Sequence, residues 1–454
     1  MSTSSKRRWM KASLIGPITL LMIAIGIFIF FLTRDPSDIR SFLKLRYKWD
    51  RTAVGQSEEE FAEQCLELAK NYPDTTGELS ALYLAACRAP KTEPGQKARE
   101  RFIAHIADAD LGRLGAAIDY SHHAPSVNAL TDTRPDPRVV GHYYSLYRDH
   151  QGIAAALLDR LKRSPNDSHT AALLGWVCRM SQSDQGKPNA QFAEAADLIA
   201  SHYADSPDIL IFNFCEIVGN MSPSWAGRYE RHLLAILKAN QDRSVRCAAQ
   251  FALASLVEWS GETRQAEAEK LYNQFLENFD GQYQYPFQGI EQRYCAQATN
   301  AIVGLRLCGI GKTAPEIVGV DSEGRQMKLS EYRGKVVLLT FWATWCGPCM
   351  RLIPHEQALA ERLQGKPFAI VGVNGDTEDE AIKKAVATHK ITWRSFRDIR
   401  ANQTPISGEW KVGGWPMRYL IDQKGVVRAR WLGDPEEAID EMNKAIDKLL
   451  DAVP

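Results

Sequence analysis

An apolar β run, Val336-Val337-Leu338-Leu339-Thr340-Phe341-Trp342, feeds directly into Ala343-Thr344-Trp345-Cys346-Gly347-Pro348-Cys349, and helical periodicity continues from Met350 to Leu363. No other feature constrains the chain as strongly. Two cysteines separated by two residues, held where a strand meets a helix, form a redox-active dithiol. The unpaired N–H groups and partial positive charge at the helix N-terminus favour a thiolate on Cys346, and the thiolate is the species that attacks a disulfide. The alternative, half of a zinc site, needs two further ligands. No cysteine follows Cys349, and His355 and His389 stand alone, so no metal is expected.

The surrounding residues alternate between strand and helix. Ile317–Val320 and Gln326–Leu329 read as a hairpin through Asp321-Ser322-Glu323-Gly324. Phe368–Asn374 reads as a buried strand, Glu378–His389 as an amphipathic helix and Ile391–Phe396 as a short strand. Strands over 417–422 and 426–431 meet at Lys424-Gly425. A last helix opens at Pro435 with Ala438, Met442, Ile446 and Leu449 on one face. Helices linked closely to strands imply an α/β sandwich.

Phe341-Trp342-Ala343 ahead of Trp345-Cys346-Gly347-Pro348-Cys349 resembles the active site of the thioredoxin superfamily. Gly414-Trp415-Pro416 matches the segment in which that family has a cis-proline, and Pro354 matches its helix-kinking proline. Gly311–Glu316 and Leu329–Lys335 resemble the opening of the membrane-tethered TlpA/ResA-like and redoxin branch. The resemblance covers about residues 311–452. It implies a thioredoxin fold and a thiol:disulfide oxidoreductase without a cofactor, acting on protein dithiols or disulfides. Cys346 would be the exposed nucleophile and Cys349 the resolving thiol. Trp345, Gly347, Pro348, Trp415 and Pro416 would shape the groove for an extended client.

Three positions depart from the family pattern. Thr340 stands where thioredoxin has a buried Asp, and Leu352 stands where ResA-like proteins often carry a Glu. Nothing in the recognised motif would then take the proton of Cys349, and Thr340→Asp would be expected to speed release of a mixed disulfide. Trp415 is bulkier than the residue usual before the cis-proline, which implies a narrower groove. Peroxiredoxin relatives share Ala314-Pro315, but their Pro-x-x-x-Thr-x-x-Cys run has no counterpart, because Ala343 and Cys346 stand three residues before the two cysteines. A thiol peroxidase is therefore a lesser alternative.

The chain has 454 residues, too many for one ordinary domain. Its 55 basic and 55 acidic residues balance, so charge gives no case for a nucleic-acid partner. Leu14–Leu32 is an uncharged apolar run of 19 residues, close to the length that spans about 30 Å of hydrocarbon. No small-residue cleavage site follows it, which favours a retained single-span anchor over a signal peptide. Lys6, Arg7, Arg8 and Lys11 precede the span and Arg34, Arg40, Lys44, Arg46 and Lys48 follow it, so charge barely sets its direction. The resemblance to tethered redox domains places the bulk of the chain on the extracytoplasmic, periplasmic face.

Residues 36–308 carry helical period almost throughout. Ser57-Glu58-Glu59-Glu60 is a capping box opening a helix over 61–70, and a second helix covers Leu79–Arg88 until Pro90. Phe192–Tyr203 and Ala266–Phe275 repeat the device, paired with Thr170–Ser181 and Ala248–Ser260. These resemble degenerate tetratricopeptide-like pairs without a fixed period. Tyr120-Ser121-His122-His123 and Tyr283–Phe287 read as loop-like. Cys65, Cys87, Cys178, Cys215, Cys247, Cys295 and Cys308 read as buried free thiols rather than disulfides. The expected layout is a tail (1–12), a transmembrane helix (13–33), an α-helical hairpin domain (34–308) and a thioredoxin-like domain (309–454). The helical domain is a candidate surface for a protein partner. An interaction scaffold carrying a redox-responsive domain is the competing function.

Overall fold

The computed structural model describes Ser41, Leu45 and residues 57–122, 151–182, 187–210, 214–219, 223–279, 290–400, 403–433 and 436–452. These residues fall into two compact units that divide between Thr170 and Ala171. The expected membrane span, 13–33, and the segment Tyr283–Phe287 lie outside the described residues. No helix among the described residues is long and apolar enough to cross a membrane.

The first unit is helical: α1 (Glu58–Asn71), α2 (Thr76–Arg88), α3 (Glu93–Ile106), α4 (Leu111–His122) and α5 (Gln151–Lys162). Ser57 and Glu60 form the expected capping box at α1. The second helix starts earlier than its apolar run, because Thr75 accepts from the Glu78 N–H and caps it. Pro90 does end α2, but Thr92 caps a further helix with Pro94 in its first turn, where a missing N–H is harmless. Helix α4 continues through Tyr120-Ser121-His122, which the sequence presents as a loop.

The division falls at the first residue of α6 (Thr170–Met180), and the second unit continues with α7 (Ala190–His202), α8 (Phe214–Gly219), α9 (Pro223–Ala239), α10 (Arg243–Glu258), α11 (Gln265–Asn278) and α12 (Ile290–Cys308). All seven cysteines of the helical regions stand outside any disulfide, six of them buried and Cys295 half-buried.

The α/β part follows in the same unit. Strands β1 (Val318–Val320) and β2 (Gln326–Lys328) form an antiparallel hairpin. Strands β3 (Val336–Trp342), β4 (Phe368–Asn374), β5 (Ser395–Arg397), β6 (Met417–Ile421) and β7 (Val427–Leu432) form one sheet ordered β5-β4-β3-β6-β7. The β3–β4 and β4–β5 pairs are parallel, and the β3–β6 and β6–β7 pairs are antiparallel. Helices α13 (Gly347–Arg362), α14 (Asp379–Thr388), α15 (Ile406–Glu409) and α16 (Glu436–Asp451) complete it. Every residue of β3 is buried, as a central strand covered on both faces must be.

Val336 and Leu338 point into a cluster with Leu359, Met442 and Ile446 from α13 and α16. Val337, Leu339 and Phe341 point the other way, against Met327, Trp410 and Tyr419. Cys308 of α12 belongs to that second cluster, and Trp259, just beyond α10, packs on it. The helical region thus supplies part of the cover on one face of the sheet. A buried ion pair fixes this contact. Arg430 of β7 meets Glu258 at 2.9 Å with the two side chains 6% and 8% exposed, and its guanidinium lies 4.6 Å from the ring centre of Trp259. The Tyr272 hydroxyl donates to Glu258 at 2.7 Å.

Removing one member of a buried pair strands the other charge. Glu258→Ala is therefore expected to lower unfolding stability by about 3 kcal/mol, and adding Arg430→Ala should cost little more. Urea titrations of the two variants check this; a single-variant loss under about 1 kcal/mol would contradict it.

Candidate active site

The redox loop sits at the carboxyl end of β3, where α13 begins. Cys346 is the N-cap of α13, and the Cys349 N–H donates to its sulfur at 3.2 Å. The N-terminal N–H groups of the helix therefore act on Cys346, as the strand-to-helix junction requires. Cys346 and Cys349 are joined as a disulfide. Cys346 is the more accessible of the two, yet it is only 5% exposed against 2% for Cys349. The expected exposed nucleophile is thus a nearly covered one in the oxidised state. Both sulfurs sit in an apolar cluster with Trp342, Ala343, Ile353, Ala385 and Ile391, and Trp415 packs against it.

Trp345, 58% exposed, is the most accessible aromatic side chain of the loop. Its ring meets Trp415 edge-on at 5.7 Å. The Trp415–Pro416 peptide is cis, and Pro416 is buried. Gly347 is exposed and Pro348 is half-buried, completing the rim beside Trp345. The bulk of Trp415 is taken up by a neighbour that carries no local signal in the sequence, Gly375. A Cβ at Gly375 would lie 2.8 Å from its ring, so only glycine leaves that space. The indole lies half-buried between Gly375 and Phe341, 6.2 Å from the latter's ring centre.

The loop is also held from below. The Asp376 carboxylate accepts from the Thr344 N–H at 2.9 Å, the Thr344 hydroxyl at 2.6 Å and the Asn374 side-chain amide at 2.9 Å. The Gly375 N–H donates to the Trp342 carbonyl at 3.0 Å. Asn374-Gly375-Asp376 reads in sequence only as a strand boundary; in the fold it ties the end of β4 to the residues ahead of Cys346.

Glu356, 3% exposed, lies on α13 and accepts from the Thr340 hydroxyl at 3.1 Å. A buried carboxyl thus stands against the position where the family's Asp is absent. Burial pushes it up from its ordinary value of 4.5 to about 7, against the pull of the Arg418 guanidinium and the Thr340 hydrogen bond. Arg418, paired with Thr340 across β3 and β6, is fully buried and donates to the Gly433 carbonyl at 2.5 Å. The neighbouring His355 is held below its ordinary range by partial burial and by Arg418. Among the described residues no three metal-ligating side chains stand together.

The fold and the dithiol define a thioredoxin-superfamily redox protein. Residues 310–430 match the model of the AhpC/TSA family. The chain is 34% identical over 125 residues to the thiol-disulfide oxidoreductase ResA of Bacillus cereus, a stretch that is 28% of this chain and 70% of that protein. It is 31% identical over 137 residues to the thioredoxin-like protein YneN of Bacillus subtilis, covering 30% of this chain and 78% of that one. Among solved structures, the thioredoxin domain of a thiol-disulfide oxidoreductase from Bacteroides vulgatus aligns at 27% identity with a TM-score of 0.28, covering 30% of this chain and 97% of that one. The chain belongs to the ResA-type thiol-disulfide oxidoreductases and is an oxidoreductase.

The raised Glu356 has a consequence for stability. Folding binds its proton more tightly than the unfolded chain does, so its contribution is fully present below pH 4.5 and is lost as pH rises through about 7. Glu356→Gln does not titrate. Its stability relative to wild type should therefore rise between pH 4.5 and 8, by up to roughly 3 kcal/mol. Denaturant titrations at the two pH values check this, and a pH-independent difference would contradict it.

Proposed function

We propose that the chain is a membrane-tethered thiol:disulfide oxidoreductase that reduces protein disulfides outside the cytoplasm, with Cys346 as nucleophile and Cys349 as resolving thiol. The observation that carries this reading is the Cys349 N–H on the Cys346 sulfur at the start of α13. The same N–H would stabilise a thiolate there once the disulfide is opened.

In the reduced enzyme the Cys346 thiolate attacks one sulfur of the client disulfide. A new S–S bond joins Cys346 to the client, and the client's second sulfur leaves as a thiolate. Cys349 then loses its proton and attacks the Cys346 sulfur. The internal disulfide forms, the bond to the client breaks, and the client departs with both sulfurs reduced. Two electrons have passed from the dithiol to the client. Trp345 and Trp415 flank the sulfurs and supply the apolar walls of the groove. The match to the AhpC/TSA model favours a peroxidase as second reading, but no threonine stands three residues before either cysteine. The apolar run Leu14–Leu32 supports the anchor, and the tethering of similar redox domains supports an extracytoplasmic catalytic unit.

Cys349→Ala, with the resolving thiol gone, should hold clients as a stable mixed disulfide on Cys346, and Cys346→Ala should hold none. Non-reducing gels of the two variants after acid quenching test this; equal trapping by both would overturn the assignment of the nucleophile. A fusion of alkaline phosphatase after Asp50 should be active, and one that is inactive while a cytoplasmic reporter works there would overturn the topology.

A further inference from the structure

Resolution of a mixed disulfide needs the inner thiol to lose its proton as it attacks. Cys349 is 2% exposed, so bulk water has little access to it. Enclosure in an apolar cluster also raises the cost of its thiolate. The strand beneath offers no carboxylate, since Thr340 occupies the buried position facing α13.

Glu356 fills this gap from another element. It lies seven residues beyond Cys349 on the same buried stripe of α13, with Leu352 and Ile353 between them. Seven residues are two turns, about 10 Å of rise. Helical side chains lean toward the helix N-terminus, so Glu356 leans back toward the redox pair. Its Oε1 meets the Thr340 hydroxyl at 3.1 Å. Thr340 lies two residues from Trp342 on the same face of β3, and Trp342 packs with both sulfurs.

We propose that Glu356, held by the Thr340 hydroxyl, is the buried acid–base group that takes up the proton of Cys349 when the mixed disulfide resolves. It acts through the polar path at Thr340 and is supplied by the helix in place of a strand carboxylate. This rests on the reading of Cys346 as nucleophile and Cys349 as resolving thiol. In the step, the Cys349 S–H bond breaks and its proton passes to the Glu356 carboxylate. The electron pair left on sulfur forms the Cys349–Cys346 bond, and the bond from Cys346 to the client breaks. The client leaves as a thiolate and takes a proton from solvent.

The charged neighbours suit a group that must both accept and return a proton. Arg418 of β6 draws Glu356 toward its ionised form, and burial opposes it more strongly. From β3 the facing group is Thr340, and from α16 Met442 places its sulfur 3.8 Å from the Arg418 guanidinium. On α13 itself the adjacent titratable group is His355, whose charged neighbours are Arg418, Arg362 and Asp440. The balance leaves Glu356 titrating near neutrality, at about 7, where an acid–base group is most effective.

The test is stopped-flow reaction of the reduced full-length protein in detergent with a fluorescent peptide disulfide, which separates formation of the mixed disulfide from its resolution. Formation alone is followed in a Cys349→Ala background. Glu356→Gln retains an acceptor for Thr340 but no proton site. It should leave formation within about twofold and slow resolution at pH 7 by about a hundredfold, the low end of what such groups contribute. The inflection of the resolution rate near neutral pH should vanish. Thr340→Asp in the Glu356→Gln background should restore both the rate and the inflection, because it returns a carboxylate to the same space. Unchanged resolution in Glu356→Gln overturns the proposal, and so does slowed resolution that Thr340→Asp does not restore, since that marks a packing defect. Absence of any mixed disulfide in Cys349→Ala instead overturns the underlying assignment of the two cysteines.

Discussion

The burial of β3 on both faces is the constraint on which the rest of the α/β domain depends. All of its residues are enclosed, so the strand needs two separate covers. Helices α13 and α16 give one, closing over Val336 and Leu338. The other draws on the hairpin, on α15 and on residues of the helical region, with Trp259 and Cys308 against the cluster around Leu339 and Phe341. The pair of Glu258 and Arg430 belongs to this second cover. Its burial makes a mismatched approach of the two layers costly, because either charge left alone would be desolvated without compensation. The redox pair therefore stands on a strand whose position is set from both sides.

From that strand, the loop geometry follows in few steps. The chain leaves β3 at Trp342, and the Gly375 N–H donates to the Trp342 carbonyl. Asp376 then gathers three donors from Thr344 and Asn374. A carboxylate accepting several hydrogen bonds at 6% exposure is a firm anchor. It holds the residues immediately before Cys346, while the Cys349 N–H holds its sulfur. The loop is thus fixed at both ends, and Trp345 between them stands exposed against Trp415.

The sequence shows this domain well wherever apolar residues run unbroken. The bounds of β3 and β4 are legible to the residue because each is a short, β-branched-rich apolar run closed by turn or loop residues, the pattern of a buried strand. β5 is less legible. Ile391 is apolar, so the sequence places the start of the strand there, but Ile391 packs in the cluster around the sulfurs, and the ladder with β4 covers only Ser395–Arg397. In the helical region Pro90 is a true stop, yet the capped restart at Thr92 escapes a reading that follows apolar period alone. Asp376 and Gly375 are invisible for a different reason. Their partners, Thr344 and Trp415, lie 32 and 40 residues away in sequence, and nothing local distinguishes them from an ordinary turn.

Glu356 did leave a trace in the sequence. It stands on the stripe Cys349, Leu352, Ile353, Glu356, Leu359, which is buried throughout, and a lone carboxylate on such a stripe demands a polar partner. The partner is Thr340, the residue that looks like a loss when the strand is considered alone. The two departures are thus one arrangement. A carboxylate at 340 and another at 356 would share one enclosed space, and like charges so placed cannot both ionise cheaply. A single buried acid on the helix, with a hydroxyl on the strand and Arg418 across from it, avoids that conflict. It keeps one titrating group on the buried stripe that begins at Cys349, and the position from which that group comes is set by packing rather than by the recognised motif.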